Sequence, residues 1–159
     1  MKQSLQDQYY PNGTCFGCGP CNDDGLQIKS YSTDQGVMAT WTASEKYDNG
    51  FGFVNGGIIS TLLDCHSAAS VMKETVKRYG DFCIDNFEHF DDKHPVYLTN
   101  QINVTFRRPI FLHSEITLFS ECVSWDDSAC HFKSEIRFNG KIAANADVLW
   151  KRFRSRSQT

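Results

Sequence analysis

The chain contains no run of about 18 consecutive apolar residues, the length that a membrane-spanning helix requires. Its first residues, MKQSLQDQYYPNG, hold no apolar stretch of the kind found in a secretory leader. The two absences lead us to expect a cytoplasmic protein with no membrane partner. A basic excess is missing as well, since 16 Lys and Arg stand against 19 Asp and Glu for a net charge of −3. Phosphate-rich polymers are held by a clear positive surplus, so nucleic acid is not an expected partner. The one basic run, Lys151 to Arg156, reads as a solvated terminus. Nothing repeats, and no low-complexity linker divides the chain. Its 159 residues therefore read as one domain with one core.

What is present is apolar and aromatic. An apolar content of 40% with twelve Phe argues for globular packing. Seven cysteines form an odd, scattered set: Cys15, Cys18, Cys21, Cys65, Cys83, Cys122 and Cys130. In an unsecreted chain these are expected as thiols. Cys15, Cys18 and Cys21 lie close in sequence and invite a metal reading, yet the second close pair of a zinc site is missing. A fourth ligand would have to come from Cys83 or one of the five histidines. The segment is read as a turn-rich loop, with no metal and no organic cofactor assigned.

Leu26 to Tyr31 and Val37 to Ala43 read as two short strands, the second alternating apolar and polar positions. Ser44 to Gly52 is a polar, glycine-bearing loop, and Gly56 to Tyr79 is a long helix. Gly80 to Pro95 is acidic and aromatic, a loop with a short helical turn. Val96 to Arg108, Ser114 to Trp125, Ala129 to Asn139 and Lys141 to Lys151 follow as four extended runs. The last two meet at Asn139-Gly140, a strong hairpin signal. The order predicts an α+β domain in which an antiparallel sheet wraps a single greasy helix, because nothing else in the chain can cover it.

That helix has two unlike sides. At about 100° per residue, Gly56, Gly57, Ser60, Thr61, Asp64, Ser67, Ala68 and Val71 share one side, and Ile58, Ile59, Leu62, Leu63 and Met72 take most of the rest. The bulky side suits a sheet. The small, polar side lets a second helix or a substrate approach Asp64. The first amides of a helix lack intrahelical partners and carry partial positive charge. Glycine lets a ligand oxygen reach them, and such donors stabilise an oxyanion by about 3 to 4 kcal/mol each. An acid and an oxyanion hole together suit acyl-group hydrolysis. Gly56 and Asp64 are nevertheless separated by about 12 Å of helix rise. Two antiparallel copies of the helix would bring one group of each kind to a single carbonyl, so a homodimer with two shared sites is expected.

Three patches resemble the hotdog-fold thioesterases, in particular the PaaI-like acyl-CoA thioesterases. They are Cys18-Gly19-Pro20-Cys21-Asn22-Asp23-Asp24-Gly25-Leu26, then Asn55-Gly56-Gly57 with Asp64 seven positions on, then Thr99 through Pro109 (TNQINVTFRRP). The likeness spans about residues 15 to 151. It implies a six-stranded antiparallel sheet around one long helix and hydrolysis of an acyl-CoA thioester without metal or cofactor. By that resemblance Asp64 activates or orients water, Thr99 helps hold it, and the Gly56 N–H, assisted by Asn49, polarises the carbonyl. Gly57 borders the substrate. Asn55 stands where many relatives have His; it takes no proton at neutral pH and can only orient by hydrogen bonds. Burial should raise the Asp64 pKa, which suits a general base, while nucleophilic attack by Asp64 stays open.

Arg107 or Arg108 could meet coenzyme A phosphates, although neighbours in a strand face opposite ways. Asp64-Cys65-His66 is no triad, because adjacent helical residues point about 100° apart. Cys65 reads as a small core hydrophobe. His89, His94, His113 and His131 share no spacing and receive no role. A hotdog dehydratase or hydratase is the rival enzyme, disfavoured by Asn55. A non-catalytic acyl-CoA-binding dimer is the rival from another class. The acyl group, and whether dimers pair into a tetramer, are left open.

Overall fold

The computed structural model describes residues 2–81 and 95–154. The chain opens with a short helix, α1 (Leu5–Tyr9), then β1 (Ser30–Ser32) and β2 (Val37–Thr42). The long helix α2 (Gly56–Tyr79) follows, and then β3 (Tyr97–Phe106), β4 (Glu115–Trp125), β5 (Ala129–Phe138) and β6 (Lys141–Arg152). All six strands join one sheet in the order β1-β2-β4-β5-β6-β3, with every pairing antiparallel. Helix α2 packs on it, chiefly against β4 and β5. This is the expected hotdog arrangement.

The boundaries of α2 follow from its ends. Asn55 precedes it in an extended conformation, and its Oδ1 accepts the Gly57 N–H at 2.7 Å, which is N-capping. Gly80 ends it at φ 91°, a conformation that glycine adopts without strain, and donates its N–H to Val76 O. Lys77 and Arg78 lie in the last turn, where positive charge opposes the helix dipole. Ile59, Leu62 and Leu63 are buried and meet the inward residues Ile116, Leu118 and Phe132 in one core. The β5–β6 hairpin turns at Asn139 and Gly140, both with positive φ, as the Asn-Gly signal requires.

Three sequence expectations need correction. Only Ser30–Ser32 of the first run is a strand. Gln27 adopts φ 54°, and the Leu26 and Ile28 amides bond to Phe16 and Gly17 carbonyls instead of to a ladder. Nor is the sheet the only cover for α2. The N-terminal loop lies on Cys65 and Thr61, and α1 packs near His66 through Gln6 and Ser30. Lastly, Ser67 and Val71 are buried although they share the small side, while Ile58 and Met72 are only half-buried. Ser67 can be buried because its hydroxyl donates to Asp64 O and accepts from Trp150 Nε1. Among the described residues, no helix is long and apolar enough to cross a membrane.

Candidate active site

Asp64 sits in the middle of α2, half-buried, with the edge strand β3 alongside. The Thr99 hydroxyl donates to its Oδ1 at 2.7 Å. Thr99 reaches it beside an irregularity in the β3–β6 ladder, where Thr99 opposes Trp150 and Gln101 opposes Leu149, so that Asn100 is the extra residue. Bulges of this kind re-aim a side chain. A hydroxyl that donates to a carboxylate keeps lone pairs to accept from a third group. Burial pushes the Asp64 carboxyl above its usual range, against the opposing effect of the Thr99 hydrogen bond; the nearby Cys15 thiolate adds to the rise.

The beginning of α2 forms a separate place. Asn49, Gly56, Arg107 and Arg108 line one open cleft of about 290 Å³, with Phe53 and Phe106 among its walls. Asn49 belongs to a tight loop in which its Oδ1 accepts the Phe51 N–H. The Gly57 N–H is already taken by Asn55, which leaves the Gly56 amide as the one for a ligand to meet. Among the described residues no acceptor meets the Gly56 N–H, and the Gly56 carbonyl accepts from the Ser60 hydroxyl. A Cβ on Gly56 would meet nothing nearer than the Phe106 ring at 3.5 Å.

Arg107 and Arg108 follow the end of β3, both amides bond to Ala143 O, and both residues border the same cleft. Arg107 Nε also donates to Asn145 Oδ1. Within one chain, then, the candidate residues fall into two groups, Asp64 with Thr99 and Gly56 with Asn49 and the arginines.

His66 takes no part in either. Its Nδ1 faces Ser30 Oγ at 2.9 Å and its Nε2 faces Val37 O at 3.0 Å, and burial holds its pKa down at about 4. The imidazole is therefore neutral, with Nε2–H donating and Nδ1 accepting. His113 and His131 lie beside the carboxylates of Glu45 and Asp147, outside both groups. Cys83, His89 and His94 lie outside the described residues, as does most of the Gly80–Pro95 segment.

The thiols are arranged differently from the sequence reading. Cys15 and Cys18 meet Cys65 rather than Cys21, with the three sulfurs within 4.8 Å of one another. Cys21 instead donates to Pro11 O. Cys65 is buried, as expected of a small hydrophobe, but it faces two other sulfurs. The contact joins residues 50 apart in sequence, so no local pattern could have revealed it.

No protein-family model matches the chain, and neither does any curated protein. Solved structures do. The PaaI protein of the Escherichia coli phenylacetic acid degradation operon aligns at 18% identity with TM-score 0.62, over 82% of each chain. A Streptococcus mutans protein bound to acetyl-CoA aligns at 19% identity and TM-score 0.62, over 81% of this chain and 90% of the other. A Haemophilus influenzae thioesterase aligns at 14% identity and TM-score 0.61, over 81% and 80%. At such identities the likeness speaks for the fold, and there it agrees with the motifs read from the sequence. The chain shares the hotdog fold of these solved structures.

Proposed function

We propose that the protein hydrolyses acyl-CoA thioesters in a homodimer whose two sites are shared between subunits. The observation that carries this reading is the Thr99–Asp64 hydrogen bond, which sets a hydroxyl and a carboxylate of raised pKa around one point beside the helix. Asp64 and Thr99 orient a water, and Asp64 takes its proton as the oxygen attacks the acyl carbon. The carbonyl oxygen gathers negative charge, which the Gly56 N–H of the other copy, aided by Asn49, stabilises. The C–S bond then breaks, and the coenzyme A thiolate receives the proton held by Asp64.

Other features fit. Strand β3 is a ten-residue edge with Leu98 47% and Phe106 54% exposed, and an edge of that length calls for a partner. Pairing it with a second β3 would set two α2 helices side by side. Arg107 and Arg108 on one cleft offer charge to coenzyme A phosphates. One turn beyond Asp64, an apolar cavity of about 70 Å³ bordered by Ala68, Met72, Tyr97 and Trp150 gives acyl carbons room. Asn55 spends its carbonyl oxygen on capping and supplies no base, so nothing in the site favours a dehydratase.

The test is thiol release from a panel of aryl, medium and long acyl-CoAs, with wild type and Asp64→Asn. Turnover of at least one class should fall by about two orders of magnitude or more in the variant, in line with loss of an acid–base group. An unchanged rate would remove Asp64 from the chemistry. Binding without turnover in the wild type would leave a non-catalytic acyl-CoA carrier.

A further inference from the structure

The loop that carries Cys15 and Cys18 is folded around its own first sulfur. The Gly17 and Cys18 amides point at Cys15 Sγ, and Gly19 N–H closes the turn on Cys15 O at 2.8 Å. Side chains are excluded where the loop must be tight. A Cβ on Gly19 would stand 2.4 Å from Cys15 N, and one on Gly17 would stand 2.3 Å from Cys65 Sγ. The glycines thus let a Cys-x-x-Cys-Gly turn sit directly on the helix at Cys65. Cys15 Sγ lies 3.7 Å from Cys65 Sγ, and Cys18 Sγ completes the triangle within 4.8 Å. Thiolates around one ion with metal–sulfur bonds of about 2.3 Å stand about 3.8 to 4.0 Å apart. The sulfurs are therefore already near coordination distance without an ion.

The chemistry of the donors points the same way. The Cys18 and Cys65 thiols and the two loop amides converge on Cys15 Sγ, which lowers its pKa far below that of an ordinary thiol. The same contacts push Cys18 up to about 12 and Cys65 upward too. Three sulfur donors thus face one point, as a thiophilic cation requires. Cys18 and Cys65 are buried whereas Cys15 is only half-buried, so the approach is from the Cys15 side.

We infer that Cys15, Cys18 and Cys65 form a three-thiolate site for a thiophilic d¹⁰ cation, Zn²⁺ or Cu⁺. The trigon suits Cu⁺ as it stands, and Zn²⁺ with one exogenous ligand. The cation clamps the N-terminal loop to the turn of α2 that carries Asp64. The inference does not rest on thioester hydrolysis and survives its failure.

The test uses the full chain, reduced, stripped with chelator and desalted. It is titrated in parallel with Cd²⁺, as a spectroscopic stand-in for Zn²⁺, and with Cu⁺ under argon. One equivalent of at least one ion should bind, with proton release and, for Cd²⁺, ultraviolet sulfur-to-metal charge transfer. Preference between the arms identifies the native class. Affinity should drop at least a hundredfold in Cys15→Ser and in Cys65→Ser and stay within twofold in Cys21→Ser. Since the buried serine could unfold the chain, alkylation of the wild type gives an independent measure. The ion should slow labelling of Cys15, Cys18 and Cys65 at least tenfold and leave Cys21 unprotected. Lack of uptake, uptake that depends on Cys21, or labelling that the ion leaves unchanged would each overturn the site. So would a Cys15–Cys65 disulfide in the purified protein with no ion bound after its reduction, which would make the cluster a redox pair.

Discussion

Gly56 separates two explanations of its own presence. A glycine at the head of a helix can be there because a side chain would clash, or because a ligand must come close. The first does not hold within this chain: the nearest atom to an added Cβ is in the Phe106 ring at 3.5 Å, an ordinary contact. Its backbone is also not in the left-handed region. Gly56→Ala should therefore leave thermal stability within about 1 kcal/mol, or raise it, since alanine favours helix. If the Gly56 N–H receives the carbonyl oxygen, the methyl group obstructs that approach. Thiol release should then fall roughly ten- to a hundredfold, a sizeable part of the value of one oxyanion donor. Equal activity in an equally stable variant would take the oxyanion role away from Gly56. Asp64 shows the complementary logic. Its carboxylate is held by a hydroxyl rather than by a cation, so burial prevails and the pKa rises.

At the scale of elements, helix α2 is anchored on a side that the thioester reading does not use. Gln6 in α1 donates through Nε2 to Ser30 Oγ at 3.0 Å and accepts the Ser30 N–H at 2.8 Å. The Ser30 hydroxyl donates to His66 Nδ1, and His66 Nε2–H ends the row on Val37 O. Helix α1, strands β1 and β2 and helix α2 are thereby joined by a buried and fully paired polar row. His66→Leu should destabilise the fold by about 2 to 3 kcal/mol, because in a dry site it leaves the Ser30 O–H without an acceptor and takes a donor from Val37 O. Urea unfolding would measure this. Combined with Ser30→Ala, the loss should be smaller than the sum of the two singles, since the unpaired Ser30 hydroxyl disappears. Additive losses would mean that the row is incidental.

That row also shows what local patterns could tell. The ends of α2 were legible because Asn55, Gly56 and Gly80 mark them with cap chemistry, and β4 to β6 because turn residues delimit alternating runs. Asp64 and Thr99 were legible as candidates through the motif resemblance; their mutual hydrogen bond depends on a bulge at Asn100 that alternation cannot encode. Helix α1 escaped because five residues give too little periodicity, although Ser4 with Asp7 three residues on is a capping signal. Cys65 was legible as a small core hydrophobe, and it is buried; its sulfur neighbours were not legible. As a hydrophobe it fits the core, and only the return of a loop 50 residues earlier in the chain gives its sulfur company.

On the scale of the whole molecule, the two groups of candidate residues must come from different copies if they are to act on one bond. Gly56 and Asp64 are fixed on one rigid helix about 12 Å apart, and no rearrangement inside a chain brings them together. A two-fold pair does so twice, and each site then takes its acid from one subunit and its amide from the other. This has a consequence that no single-chain site shares. Asp64→Asn homodimers lack the acid in both sites, and Gly56→Ala homodimers are impaired in both. Mixed under conditions that exchange subunits, they yield heterodimers in which one site carries both defects and the other carries none. Random exchange makes half the dimers mixed, each with one intact site, so activity should climb to about a quarter of wild type. If each subunit instead held its own complete site, every site in the mixture would carry one defect or the other, and exchange would restore nothing. Size-exclusion chromatography of differently tagged variants verifies the exchange. Thiol release before and after it then decides whether the two halves of the site belong to one chain or to two.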